Sequence, residues 1–145
     1  MKGTGIALLF TIIYFIVNSY KLYVIRAIIT KSYTKSGAYF MGFKKSFSKD
    51  HKKCTVTFMV SAEAAQGANT INIVGDFNSW SSTDTPMKKA KDGSFSAKIE
   101  LDVDKEYQFR YLLDNSKWEN DWNADKYIPA PYSNADNSVV VTSKI

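Results

Sequence analysis

The 145-residue chain has one cysteine, one histidine and only three prolines. With Cys54 alone, no intramolecular disulfide forms and no cysteine-based zinc site is available. The lack of disulfides is compatible with a reducing compartment. His51, the only imidazole, lies among Lys49, Lys52 and Lys53 and reads as a solvated linker residue. Nucleophilic catalysis of the Ser/His/Asp or Cys/His kind needs an imidazole held in a cleft, which this setting does not offer. Beyond residue 54 the chain also lacks a sustained helical period, an internal repeat and a low-complexity tract.

Acidic residues are nearly absent from the first third. Residues 1–53 hold ten Lys/Arg against Asp50, a local charge of +9, whereas residues 54–145 carry a local charge of −4. The overall charge of +5 therefore belongs to the N-terminal part. An acidic domain repels phosphate backbones, which argues against nucleic-acid binding by residues 54–145.

Residues 1–40 form an apolar extension, with an uninterrupted run at 6–17. This run is short for a membrane span of about 20 residues, and extending it to Ile25 takes in Asn18, Ser19 and Lys21. It is read either as a marginal anchor with Lys21 snorkelling, or as sequence upstream of a true start at Met41. The second reading fits a stretch rich in Ile, Tyr, Phe and Lys, as translated AT-rich DNA would be. A signal peptide fits worse, because no small-x-small cleavage site follows. Lys21, Arg26, Lys31, Lys35, Lys44 and Lys45 follow the run and only Lys2 precedes it, so the positive-inside rule keeps the C-terminal side in the cytoplasm. Both leading readings place the folded part inside the cell.

Residues 41–53 read as a basic linker, and a β pattern begins at residue 54. Val56, Phe58 and Val60 alternate with Thr55, Thr57 and Met59, as in a strand with one buried face. Further strands are expected at Ile71–Val74, at Phe95–Leu101, at Tyr107–Leu113 and at Ser138–Thr142. Loops are marked by Ala62–Asn69, Gly75-Asp76-Phe77-Asn78, Asp92-Gly93 and Asp114-Asn115-Ser116. Short strands separated by turns at this spacing predict an all-β antiparallel sandwich, large enough to bury a core without disulfides.

Trp80, Trp118 and Trp122 all fall at strand ends or in loops, not inside alternating strands. Pyranose C–H faces stack on aromatic rings while the hydroxyls take polar partners, so loop tryptophans beside Arg or Asn form a candidate sugar site. Arg110 projects from the polar parity of its strand together with Gln108, and Asn137 precedes the last strand. The tryptophans equally suit the edge of the core, Arg110 suits a surface pair with Glu119 or Asp121, and Asn137 suits a turn. Trp122 reads as packing or rim. Glu119, Asp121 and Asp125 suggest a carboxylate pair for glycoside hydrolysis, but such a pair needs a fixed separation across a cleft. They are read as solvated, without the spacing of a calcium loop. No catalytic residue, metal or cofactor is expected.

The turn GDFNSW at 75–80, the strand ELDVDKEYQFRYLLD at 100–114, Trp118 and DNSVVV at 136–141 resemble carbohydrate-binding module family 48. That family includes the isoamylase N-terminal early-set domains and the glycogen-binding domain of the AMP-activated protein kinase β subunit. The string KWENDWNADKYIPAPYSNADNSVVV is similar to small bacterial proteins made of little more than one early-set domain. The resemblance covers residues 54–142 and implies an immunoglobulin-like sandwich. It implies a non-catalytic module for α-1,4-glucan of the glycogen or starch type, and a glycoside hydrolase family 13-type or other glycogen-metabolising enzyme as partner. By this resemblance Trp80 and Trp118 stack on glucose rings, while Arg110 and Asn137 bond hydroxyls. Where the kinase-type binders carry a threading Leu and a Thr, this chain has Ser133 and Ala135, which favours the alternative of a protein-interaction domain that kept the fold and lost sugar. A third alternative is an accessory fragment whose catalytic domain is encoded separately.

Overall fold

A computed structural model describes residues 39–131 and 133–143. The anchor or upstream readings concern residues 1–40, of which 1–38 lie outside the described residues. The described chain forms nine strands and one short 3-10 turn: β1 (Met41–Phe47), β2 (Lys53–Val60), β3 (Ile71–Gly75), β4 (Lys88–Lys89), β5 (Phe95–Asp102), β6 (Glu106–Leu113), β7 (Lys117–Glu119), β8 (Lys126–Pro129) and β9 (Asp136–Val141), with the turn at Asp76–Asn78.

All strand pairs are antiparallel. One sheet runs β1-β2-β5-β4, and the other β3-β6-β9-β8 with β7 also on β6. This is the expected immunoglobulin-like sandwich. Strand β6 pairs with β3 along residues 109–113. A strand has two edges, so β9 and β7 share the other one, β9 at residues 106–109 and β7 at 111–113.

Period-two alternation sets the core. Val56, Phe58 and Val60 of β2 are buried, and so are Phe109, Tyr111 and Leu113 of β6. Phe58 is the centre of the aromatic packing, with ring centroids 5.0 Å from Phe109, 5.6 Å from Phe43, 6.2 Å from Phe77 and 6.5 Å from Tyr111. The Phe109 and Tyr111 contacts are edge-on, which the ring quadrupole favours.

The basic linker expected at 41–53 is instead β1, the hairpin turn that carries His51, and the first residue of β2. Met41, Phe43, Lys45 and Phe47 share the inward parity, and Lys45 disguised that alternation in the sequence. Its ammonium is satisfied at the sandwich edge by Asp125 at 2.9 Å and by the Val141 carbonyl at 2.9 Å. An inward-turned charge on an edge strand also discourages pairing with another chain. The expected loop at 62–69 holds Ala64, Ala65 and Ala68 in the core.

Gly75 is needed for space, not for backbone freedom, because its φ is extended. A Cβ there would overlap the Gln108 carbonyl oxygen and approach the Phe109 Cβ to 2.8 Å.

Phe58→Ala removes the ring that joins the two sheets, and a loss of about 3–5 kcal/mol is expected for such a truncation. Chemical denaturation of the full chain measures it; a loss under about 1 kcal/mol contradicts this account of the core.

Candidate functional site

On the outward parity of the β3-β6-β9-β8 sheet, Val74, Leu112 and Val139 are buried although they lie outside the core cluster. Loops therefore cover this face, and a pocket of about 470 Å3 forms over it. The volume lies in the range of small-ligand sites. Gln108 and Arg110 of β6 and Asn137 of β9 line its floor. Trp80 and Asp76 come from the β3–β4 connection, Trp118 from β7, and Ala130, Pro131 and Ser133 from the β8–β9 loop.

The chain places Trp80 by a series of local hydrogen bonds. The Asn78 side chain accepts from the Gly75 N–H at 3.0 Å and donates to the Ile73 carbonyl at 2.8 Å and the Thr85 hydroxyl at 2.9 Å. Ser79 and Trp80 follow with φ of 54° and 59°, a left-handed conformation costly for residues with a Cβ. The Trp80 N–H closes this turn on the Gly75 carbonyl at 2.9 Å. The Asp76 carboxylate then accepts from the Trp80 indole N–H at 2.9 Å and from the Gln108 backbone N–H at 2.7 Å. One carboxylate thus fixes the indole to β6, with the ring 38% exposed.

Trp118, 42% exposed, pairs in register with Leu112 and so points outward beside Arg110. The Arg110 guanidinium carbon lies 5.7 Å from the Trp118 ring centroid, a cation–π arrangement. The pairing of Arg110 with Glu119 or Asp121 weighed from sequence is not observed. Glu119 pairs with Lys117 at 2.8 Å, and Asp121 is buried against Tyr111. Among the described residues Arg110 makes no ion pair, and its Nε is buried without a partner. Asn137 is buried and donates to the Gln108 side-chain oxygen at 3.1 Å.

The four residues singled out in the sequence, Trp80, Arg110, Trp118 and Asn137, therefore line one pocket. Two polar lining residues were missed. Gln108 shares the parity of Arg110, which was its signal, whereas Asp76 was read only as part of a turn. Ser133 lines the pocket wall, while Ala135 is not among the lining residues and closes its loop by accepting from the Ala130 N–H at 2.9 Å. Trp122 lies outside the pocket and stacks on Tyr39.

The solvated reading of the loop acids fails for Asp121, while Asp125 stays at the surface but is engaged by other groups. Asp121 is fully buried; its carboxylate accepts from the Tyr111 hydroxyl at 2.8 Å and the Asn123 N–H at 2.8 Å, and its own N–H donates to the Ser138 hydroxyl at 2.8 Å. Burial pushes its carboxyl above the usual 3.8, and burial beside that acid pushes the Tyr111 phenol well above its usual value. Asp125 holds Lys45 and the Val141 N–H. These bonds anchor the loop after Trp118 to the core and to β9.

The sequence matches the family described as carbohydrate-binding module 48, the isoamylase N-terminal domain, over residues 42–133. The match spans more than half of the chain, which belongs to this family of carbohydrate-binding modules. It begins inside β1, in keeping with that strand's place in the sheet. No curated protein matches the chain.

Two outcomes test this geometry. Asp76→Ala frees the Trp80 indole N–H and the Gln108 N–H, costing about 0.5–1.5 kcal/mol. Its clearest mark is faster hydrogen exchange of the Trp80 indole, which an indole held by other contacts would not show. For Asp121 the native state binds a proton more tightly than the unfolded chain. Its contribution is therefore fully present below about 3.8 and is lost as pH rises through the elevated native value. Asp121→Asn, which keeps partners for Tyr111 and Asn123 but cannot ionise, flattens that part of the stability profile in denaturant titrations across pH. An unchanged difference between variant and wild type at all pH values contradicts the assignment.

Proposed function

We propose that the pocket binds α-1,4-glucan of the glycogen or starch type without chemistry. Trp80 and Trp118 stack on glucose rings, and Arg110, Asn137 and Gln108 bond hydroxyls. The observation that carries this reading is the convergence of two exposed tryptophans with a guanidinium that makes no ion pair among the described residues, over a floor of amide side chains. Aromatic planes serve the C–H faces of a pyranose, and donors in the plane of the floor serve its hydroxyls. A planar guanidinium already stacked on Trp118 loses little freedom when a hydroxyl arrives, which favours binding. Contacts of this kind give weak, reversible attachment to a polymer that presents many sites. The role that follows is localisation or regulation beside a glycogen-metabolising enzyme in the cytoplasm.

Retention of the full chain on insoluble starch and on glycogen-coated beads tests the reading, beside Trp80→Ala and Trp118→Ala variants checked for folding. Wild type is retained, and each variant loses at least about tenfold in affinity, equivalent to about 1.4 kcal/mol. A folded wild type retained on neither polymer overturns it and favours a protein-interaction domain built on the same fold.

A further inference from the structure

Among the described residues six large hydrophobic side chains are exposed, and only Trp80 and Trp118 belong to the pocket. The other four, Tyr39, Phe40, Trp122 and Tyr127, gather around residues 121–123. Tyr39 stacks on Trp122 with ring centroids 4.8 Å apart and planes within 10°, the two residues 50% and 38% exposed. The Tyr127 hydroxyl donates to the Asp121 carbonyl at 2.8 Å. Phe40 lies against Gly42 beside Asn123, since a Cβ on that glycine would meet the Phe40 ring and, at 3.3 Å, the Asn123 Cβ. Scattered single hydrophobics on a surface need no explanation, but a gathered patch marks a contact site.

The chemistry beside the rings narrows the occupant. The Gln66 amide donates to the Tyr39 hydroxyl at 3.4 Å, and the Lys117 ammonium donates to the Gln66 oxygen at 2.7 Å and pairs with Glu119 at 2.8 Å. The stacked pair is thus edged by a hydroxyl, an amide, an ammonium and a carboxylate. Rings flanked by hydroxyl-bonding groups repeat the composition of the pocket. The two places are also joined along the chain. Trp118 faces the pocket from β7, its neighbour Lys117 holds the Gln66–Tyr39 string, and Trp122 is four residues on. Four residues span at most about 14 Å, which bounds the separation of Trp118 and Trp122.

We propose that Tyr39 and Trp122 form a second contact for the same glucan chain that the pocket holds. The inference rests on the pocket reading above. A second contact on one polymer acts at a high effective concentration once the first is made, so it strengthens binding of long chains and leaves short ones unaffected.

The test compares maltotriose with a long linear maltodextrin as ligands of the full-length protein, using wild type, Tyr39→Ala, Trp122→Ala and Trp80→Ala, with folding checked by thermal melting. Tyr39→Ala and Trp122→Ala keep the wild-type affinity for maltotriose within about twofold and lose about tenfold or more on the long chain, as the loss of a linked contact requires. Trp80→Ala loses both ligands. Wild-type affinity of folded Tyr39→Ala for the long chain overturns the second contact while leaving the pocket reading intact. An equal loss on both ligands also overturns it, since the pair then only supports the pocket's fold. No binding of either ligand by wild type overturns the pocket reading and this inference with it. If Trp122→Ala does not fold, the half-exposed Tyr39 carries the test alone.

Discussion

Both edges of β6 are occupied, by β3 on one side and by β9 and β7 in succession on the other. With its backbone held this way, the strand cannot slip by one residue without turning every side chain to the opposite face. Phe109, Tyr111 and Leu113 therefore stay in the core, where each large apolar side chain contributes about 1.5–3 kcal/mol by burial. Gln108 and Arg110 are forced outward by the same register, onto the floor of the pocket. The core thus fixes the position of the site's polar groups, and a site built on a doubly paired strand is held more rigidly than one built on loops alone.

The loops that complete the pocket are tied to this strand by carboxylates. Asp76 fastens the Trp80 indole to the backbone of β6, and Asp121 fastens the segment after Trp118 to the hydroxyl of Tyr111. Each carboxylate accepts two hydrogen bonds, one on each oxygen: Asp76 from the Trp80 indole and the Gln108 N–H, Asp121 from the Tyr111 hydroxyl and the Asn123 N–H. Asp121 is buried at an electrostatic cost, visible in the upward shift of its carboxyl, and the hydrogen bonds to Tyr111 and Asn123 offset part of it. Arg110 contrasts with these groups, because the neighbouring acids are already engaged and leave its guanidinium to Trp118 and the pocket.

Strands β2 and β5, and β6 as far as Tyr111, were legible in the sequence because apolar and polar residues alternate along them. Strand β1 was not, since Lys45 occupies an inward position and is satisfied by Asp125, 80 residues away, a contact no local pattern reveals. Strands β7 and β8 are short and lie in a stretch dominated by turn residues. The GDFNSW turn was visible as a turn and as a family resemblance. Its geometry was not, because the left-handed residues Ser79 and Trp80 are held by side-chain bonds from Asn78 and Asp76. Asp121 was misread for a related reason: an acid in a polar segment looks solvated until its distant partner Tyr111 is placed against it.

The central claim is that the floor of β6 and β9, with Trp80 and Trp118 above it, is the surface that meets sugar. A titration of the isotope-labelled protein with maltoheptaose, followed by nuclear magnetic resonance, tests it most directly. The account predicts saturable shifts of the Trp80 and Trp118 indole N–H signals and of the Asn137 side-chain amide, with the β1-β2-β5-β4 sheet unmoved. Shifts confined to that sheet, or none at the pocket under conditions where the protein is folded, would contradict it.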